Sequence, residues 1–420
     1  MKSQQDRLRE AMKRLALTRD DFAARLGVTR RALDTWLLPD GSKEHRAMPA
    51  MAAKVLAELP GARALPAGLR ERITPRGKPH LLSVEQFDRA AVEDLLAVAE
   101  SMEPIARRAK VTRVLEGAVL ANLFFEPSTR TRMSFATAFC RLGGSVCDTT
   151  GFTFSSMAKG ESIEDTSRVI AGYADAIVVR HPDQGSVARF AKGVHVPVIN
   201  GGDGVGEHPT QALLDLYTIR REFARLGKKV DGAHIAMVGD LKHGRTVHSL
   251  IRLLSLFKGL TFTLLAPPSL EMPGDLVAHA EAAGHKVRRA ASLKDGLKKV
   301  DVLYATRIQK ERMSGEALET YPLDFRIDKK RVDALCQKDT IVMHPLPRDG
   351  TPGSNDLATD LDNDPRLAIF RQTDAGIPVR MAVFAVLLGV ENLVAGSLRD
   401  APWISPPRIG SGDAPFHRLT

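Results

Sequence analysis

Residues 119–135 read Val119-Leu120-Ala121-Asn122-Leu123-Phe124-Phe125-Glu126-Pro127-Ser128-Thr129-Arg130-Thr131-Arg132-Met133-Ser134-Phe135. An apolar run of strand length passes directly into a turn rich in hydroxyls and guanidinium groups, and that turn opens a helix. The first N–H groups of such a helix lack intrahelical partners, Ser128 stands where a cap belongs, and Arg130 and Arg132 add bidentate donors. An anion placed there is held by dipole, hydrogen bonds and charge together. The competing reading is an ordinary N-cap followed by a solvated basic turn. Two arginines and three hydroxyls within the seven residues 126–132, directly after so apolar a strand, favour the anion site.

The alternation continues outward from this unit. Strand candidates are 119–125, 176–179, 196–199, 235–238, 261–265, 302–305 and 340–343; helices are predicted over 134–142, 164–173, 211–227, 247–257, 276–283, 293–299 and 379–390. Short apolar runs alternating with helical patterns predict an α/β protein built from doubly wound parallel sheets. The helix after His208-Pro209-Thr210 splits the strands into two groups, so two domains are expected, 81–215 and 216–374, with the active site between them. Gly201-Gly202-Asp203-Gly204-Val205-Gly206 follows a strand but has Glu207 where a dinucleotide loop needs glycine, so it reads as the turn presenting His208. His243 and His248 are five apart, which does not make a helical zinc pair.

Residues 1–60 read as a small all-α module of a different character. Thr18 precedes an amphipathic stretch to Leu26, Gly27-Val28 make a turn, and Thr29 caps 30–38 before Pro39, a pattern similar to phage-repressor helix-turn-helix units. Residues 61–80, with repeated Pro and Gly, read as a linker, and 397–420 as a disordered tail. The whole chain of 420 residues carries +10, but residues 1–80 hold 17 Lys+Arg against 9 Asp+Glu, a net of +8, which leaves only +2 for the rest. The concentrated charge therefore belongs to the N-terminal module. Hydrophobic content of 44% and charged content of 26% are ordinary for a globular protein. No apolar run approaches the ~20 residues of a membrane span, and the N-terminus has no apolar signal core, so a cytoplasmic enzyme is expected. Cys140, Cys147 and Cys336 form no C-x-x-C and read as packing residues in a reducing compartment.

Further motifs lie at strand ends: Ser155-Ser156-Met157-Ala158-Lys159-Gly160-Glu161-Ser162, Val179-Arg180-His181-Pro182, His208-Pro209-Thr210-Gln211-Ala212-Leu213-Leu214-Asp215, Gly239-Asp240-Leu241-Lys242-His243-Gly244-Arg245-Thr246, Thr306-Arg307-Ile308-Gln309-Lys310-Glu311-Arg312 and His344-Pro345-Leu346-Pro347-Arg348. With the opening motif, this ordered set resembles the aspartate/ornithine carbamoyltransferase family over roughly 81–393. The resemblance implies that Arg130, Thr131, Arg180 and His208 are catalytic. Ser128, Thr129, Arg130, Thr131, Arg180, His208, Gln211, Leu346 and Pro347 would bind carbamoyl phosphate. Arg130 and Thr131 would bind the phosphate, with Ser128, Thr129 and Arg180 completing its cradle. His208 would donate to the carbonyl oxygen, and Gln211 with the backbone at Leu346 and Pro347 would hold the carbamoyl amide. Lys159, Arg245, Arg307 and Gln309 would bind the acceptor. Ser155 and Lys159 would reach the site of a neighbouring subunit, which implies a homotrimer or a multiple of trimers. The C-terminal helix, 375–396, would complete the first domain. No metal, cofactor or covalent nucleophile is required.

Arg245 and Arg307 are planar forks suited to a small amino diacid such as L-aspartate. The ornithine branch has His-Cys-Leu-Pro where this chain has Pro345, which favours aspartate. Taken singly, Arg245 also reads as a surface helix charge, Lys159 as part of a solvated lid, and Glu126 as a carboxylate that steadies the arginines. Three readings compete: a carbamoyltransferase acting on aspartate, the same chemistry on another amino acid, and a nucleic-acid-binding regulator that uses the fold as a metabolite sensor. For residues 1–80 the alternatives are DNA, an effector, or a dihydroorotase-like or regulatory partner. The segment 349–355 reads as a short insertion.

Overall fold

The computed structural model describes residues 3–15, 18–26, 28–49, 52, 68–74, 78–151, 156–307, 323–350 and 356–403. After a short strand β1 (Lys110–Val111), four parallel strands form the first sheet: β2 (Val119–Phe124), β3 (Ser145–Thr150), β4 (Ala176–His181) and β5 (Val198–Asp203), ordered β3-β2-β4-β5. Five more build the second: β6 (His234–Val238), β7 (Thr261–Leu265), β8 (Lys286–Arg289), β9 (Val302–Ala305) and β10 (Ile341–Met343), ordered β10-β9-β6-β7-β8 and also parallel. The inner strands β2, β4, β6, β7 and β9 are apolar and buried on both faces, as crossover helices on both sides of a sheet demand. The fold is thus the expected pair of doubly wound sheets.

The helix Pro209–Leu226 joins the two. Pro209 occupies its first turn, where the missing N–H costs nothing, and Gly227 ends it at φ 68°, its N–H donating to the Phe223 carbonyl. Leu213, Leu216, Tyr217, Ile219 and Phe223 are buried in one apolar cluster that also holds Leu120 and Val178 of the first sheet and Ile235 and Met237 of the second. The helix Ile369–Leu387 packs on this one and on the helices Arg89–Ala106 and Thr129–Arg141. Phe384 meets the rings of Phe139 and Phe135 edge-on at 5.0 and 5.9 Å. No helix among the described residues is long and apolar enough to cross a membrane.

Several sequence expectations need correction. The strands 145–150 and 286–289 escape the pattern because they are polar edge strands, whereas the edges β5 and β10 are largely buried. β8 is Lys286-Val287-Arg288-Arg289, with mostly exposed positions. The C-terminal helix begins at Ile369 rather than 379; Pro378 lies inside it, tolerated because packing on three helices outweighs one lost hydrogen bond. The 61–80 segment is not wholly a linker: Leu69–Ile73 is a helix whose Leu69 and Ile73, one turn apart, are buried, and Arg72 bonds Asp94 at 2.5 Å. The tail does not begin at 397, since β11 (Arg399–Asp400) pairs antiparallel with β1 and Lys110 bonds Asp400 at 2.7 Å; residues 404–420 lie outside the described residues. Cys140 and Cys147 are exposed rather than packed, and only Cys336 is half-buried, its thiol pushed up to about 11 by burial.

In the N-terminal module the helices Gln4–Leu15, Arg19–Arg25 and Arg30–Leu37 enclose Leu8, Phe22, Leu26, Leu33, Trp36 and Leu37. The Thr29 hydroxyl accepts from the Ala32 N–H at 3.2 Å.

Arg371 and Glu222 clamp the C-terminal helix to Pro209–Leu226 through two hydrogen bonds of 2.7 and 3.2 Å, with both side chains buried. Glu222→Ala strands the guanidinium in low dielectric, so urea unfolding should show a loss of about 3 kcal/mol. Arg371 also donates to the Pro365 carbonyl at 3.3 Å, and a loss under about 1 kcal/mol would show that this acceptor or water suffices to solvate it.

Candidate active site

A cleft of about 720 Å³ opens between the two sheets. Its walls are the carboxyl ends of β2, β4, β9 and β10 with the first turns of three helices, as the topology of open parallel sheets requires. Ser128, Thr129, Arg130, Thr131, Arg180, His208, Gln211, Arg245, Arg307, Leu346 and Pro347 all line it. Lys159 does not: it ends the turn Ser156–Lys159, exposed and away from the cleft of its own chain. Ser155 and Gln309 lie outside the described residues, as do 351–355 of the insertion.

The anion site at the start of Thr129–Arg141 differs from the sequence reading in two respects. Ser128 holds the N-cap position with extended backbone, but its hydroxyl makes no capping hydrogen bond and faces the cleft with its neighbours. Arg132 turns away from the cleft to pair with Asp148 at 3.2 Å. Arg130 is held below the ordinary arginine value by burial and then by the charge of Arg307 across the cleft. Two guanidinium groups that repel one another over a shared space form a receptor for an anion between them.

Glu126 organises two further arginines. One of its carboxylate oxygens accepts from Arg180 Nη2 and Arg245 Nη2, each at 2.9 Å. Arg245 also donates to the Gly204 carbonyl at 2.7 Å and is 4% exposed, which excludes its reading as a surface charge. Gly202 makes this convergence sterically feasible. At φ 126° it approaches both guanidinium groups so closely that a Cβ would stand 2.9 Å from Arg180 and 3.1 Å from Arg245. The turn 203–206 then closes through the Gly206 N–H to the Asp203 carbonyl, delivering His208 to the head of its helix.

His208 is 3% exposed, and neither ring nitrogen has a hydrogen-bond partner within the protein. Burial first, then the charges of Arg245, Arg180 and Arg380, hold its pKa well below the usual histidine value. A neutral imidazole results, with one N–H available to a ligand oxygen.

Beneath the cleft floor runs a polar network. Gln211 Nε2 donates to Asp215 Oδ1 at 2.9 Å, Gln372 Nε2 to the same oxygen at 2.7 Å, and the Tyr304 hydroxyl to Oδ2 at 2.8 Å. The His344 N–H donates to Gln372 Oε1 at 3.0 Å. His344 Nδ1 accepts from the Leu346 N–H at 2.8 Å, so Nε2 carries the ring proton toward Asp356 at 3.1 Å. Leu346, at φ 57° and followed by a cis bond to Pro347, is thereby held against the cleft.

Sequence reasoning missed Ser134, Thr246, Gln372 and Arg380, which also line the cleft. Gln372 and Arg380 come from the C-terminal helix, where they look like isolated polar residues in an apolar segment; nothing local marks them. Arg380 lies over the Phe135 ring at 4.7 Å and donates to Ser134 at 2.7 Å, and burial lowers its pKa to about 9. Asp215 had a local signal in its spacing of one helical turn from Gln211.

The comparisons with known proteins match this geometry. The family model for the carbamoyl-P binding domain of aspartate/ornithine carbamoyltransferases matches residues 79–221, and the model for the Asp/Orn binding domain matches 231–387. The chain is 56% identical over 341 residues to the aspartate carbamoyltransferase catalytic subunit of Dichelobacter nodosus, covering 81% of this chain and 98% of that one. It is 46% identical over 312 residues to the Archaeoglobus fulgidus catalytic subunit, covering 74% and 99%. A crystal structure of Trypanosoma cruzi aspartate transcarbamoylase with carbamoyl phosphate and aspartate superposes with a TM-score of 0.67 at 41% identity, covering 73% of this chain and 96% of that one. The Methanocaldococcus jannaschii catalytic subunit superposes at 0.66 with 43% identity, covering 74% and 98%. With both domain models matched in order and relatives aligned over nearly their full length, the chain belongs to the aspartate/ornithine carbamoyltransferase family.

Proposed function

We propose that this chain transfers the carbamoyl group of carbamoyl phosphate to the amine of L-aspartate, giving N-carbamoyl-L-aspartate and phosphate, the second step of de novo pyrimidine synthesis, in the cytoplasm. The observation that carries this reading is the convergence of arginines from both domains on a helix N-terminus beside a neutral, unpartnered histidine. The phosphate sits at the start of Thr129–Arg141, held by the free N–H groups, the hydroxyls of Ser128, Thr129 and Thr131, and the guanidinium groups of Arg130 and Arg180. His208 donates its N–H to the carbonyl oxygen, which becomes the oxyanion when the neutral amine adds to carbon. Gln211 and the backbone at Leu346 and Pro347 hold the carbamoyl amide. Collapse breaks the carbon–oxygen bond to phosphate, and the phosphate leaves with the proton given up by the amine. Arg245, Arg307 and Gln309 receive the two carboxylates of aspartate. Arg348 plays no part in the cleft, being bound to Asp362 at 2.6 Å.

The purified chain should form product from carbamoyl phosphate with L-aspartate and not with L-ornithine; the reverse, or silence with both, would sink the aspartate reading. Arg130→Ala should lower kcat ~10²–10³-fold, the usual cost of one lost oxyanion or leaving-group donor.

Lys159 supports a second element of the proposal, a trimer with shared sites. Exposed and outside its own cleft, it serves the cleft of a neighbour. Mixing inactive Lys159→Ala with inactive Arg130→Ala subunits should restore activity, because some sites then draw intact residues from each. No recovery in mixed trimers shown to have formed would exclude sharing.

A second reading concerns residues 3–49. The helices Arg19–Arg25 and Arg30–Leu37 are joined by four residues, with Thr29 capping the second and Arg30 and Arg31 exposed at its start. This geometry supports a helix-turn-helix that enters the DNA major groove. Arg30 is partly matched by Asp20 at 2.7 Å and Asp34 at 2.9 Å, which leaves Arg31 as the principal contact. Fluorescence anisotropy of the full chain on a 30-bp duplex should show affinity that falls steeply with salt and weakens in Arg31→Ala, with carbamoylation unchanged. Binding insensitive to both salt and this substitution would point to a protein or effector partner instead.

A further inference from the structure

We propose that Asp215 is a positioning residue that decides which end of the Gln211 amide faces the cleft, and thereby the preference for carbamoyl phosphate over an acyl phosphate lacking N–H groups. The inference rests on the reading that Gln211 meets the carbamoyl amide.

The orientation of both amides traces to a donor of fixed identity, the backbone N–H of His344. It donates at 3.0 Å to the Gln372 side chain, so that end of the amide is Oε1 and the other is Nε2. Nε2 then donates to Asp215 Oδ1 at 2.7 Å, which makes Oδ1 an acceptor. Gln211 reaches the same oxygen at 2.9 Å and must use Nε2 to do so, which leaves its Oε1 as the end presented to the cleft. A chain of forced assignments thus runs from the loop after β10, through the C-terminal helix, to the floor of the cleft.

Protonation of Asp215 does not undo the chain. Burial raises this carboxyl to about 7 against the opposing effects of Gln372, Tyr304, Gln211 and the nearby Arg380. A proton arriving there need not displace either N–H donor at Oδ1. It goes to Oδ2, where the Tyr304 hydroxyl at 2.8 Å can turn from donor to acceptor. The orientation of Gln211 is the same in both states.

The chemical consequence is selection by hydrogen-bond donor. An amide oxygen in the cleft pairs with the NH₂ of a carbamoyl group. The methyl group of acetyl phosphate has the same size, offers no donor, and leaves the oxygen unpaired in a desolvated site. One such mismatch is worth about tenfold or more in affinity.

The test compares the KM for carbamoyl phosphate with the inhibition constant of acetyl phosphate, used as a competitive inhibitor of the full chain. The wild type should favour carbamoyl phosphate by at least about tenfold; equal values would overturn the assignment of Gln211 itself. Asp215→Asn keeps an acceptor at Oδ1 and turns its amide nitrogen to Tyr304, so the ratio should persist. Asp215→Leu removes the acceptor, frees Gln211 to turn over, and should bring the ratio near one, chiefly by weakening carbamoyl phosphate. A wild-type preference retained in a folded Asp215→Leu variant, equal weakening of both ligands, or an Asp215→Asn variant as indiscriminate as the leucine variant would each overturn the proposal. Should the leucine variant not fold, Asp215→Ala, which removes the same acceptor with a smaller side chain, must lower the ratio; an unchanged ratio there also refutes the proposal.

Discussion

Among the described residues, five arginines face one cleft that contains a single carboxylate, Glu126, and this excess of positive charge governs the rest of the site. Guanidinium groups cannot shed their protons at working pH, so their mutual repulsion must be offset by geometry. Glu126 is shared between Arg180 and Arg245, and Arg380 faces the buried Asp215 and the ring of Phe135. Arg130 and Arg307 oppose one another directly. Burial first, and then the charges of Arg245, Arg180 and Arg380, hold His208 neutral. An anion-attracting cleft and an uncharged hydrogen-bond donor within it are therefore consequences of one buried, cationic arrangement.

The scaffold must bring those charges together despite their repulsion. It does so with two helices that belong to both halves of the molecule. Pro209–Leu226 is buried along most of its length among side chains of both sheets, and Ile369–Leu387 is clamped to it by the Arg371–Glu222 pair. Burial of so many leucine, isoleucine and phenylalanine side chains, each worth ~1.5–3 kcal/mol, outweighs the cost of crowding like charges at the seam. The two helices also carry Gln211, Asp215, Gln372 and Arg380, so the elements that hold the domains in register also set the floor of the cleft.

Legibility in the sequence followed burial and locality. The inner strands β2, β4, β6, β7 and β9 were readable because burial on both faces demands continuous apolar residues. The edges β3 and β8 were not, because a strand with one neighbour can be polar. Pro378 hid the first turns of the C-terminal helix, and the buried Leu69–Ile73 turn was masked by surrounding Pro and Gly. Cys140 and Cys147 were misplaced because cysteine burial is a tendency with no positional content.

Among the site residues, Ser128 to Thr131, Arg180, His208, Gln211, Arg245, Arg307, Leu346 and Pro347 were recognisable because each sits in a compact motif at a strand end, where chain direction alone points it toward the ligand. Local order therefore determined the two parallel sheets and most of the residues that line the cleft. Tertiary structure alone decided that Arg245 is buried on Glu126, that Arg132 leaves the cleft for Asp148, that Lys159 is absent from its own cleft, and that Gln372 and Arg380 enter it. The physical reason is that hydrogen bonds and charges act over a few ångströms of space, and Gln372 stands 157 residues along the chain from the Asp215 oxygen it holds.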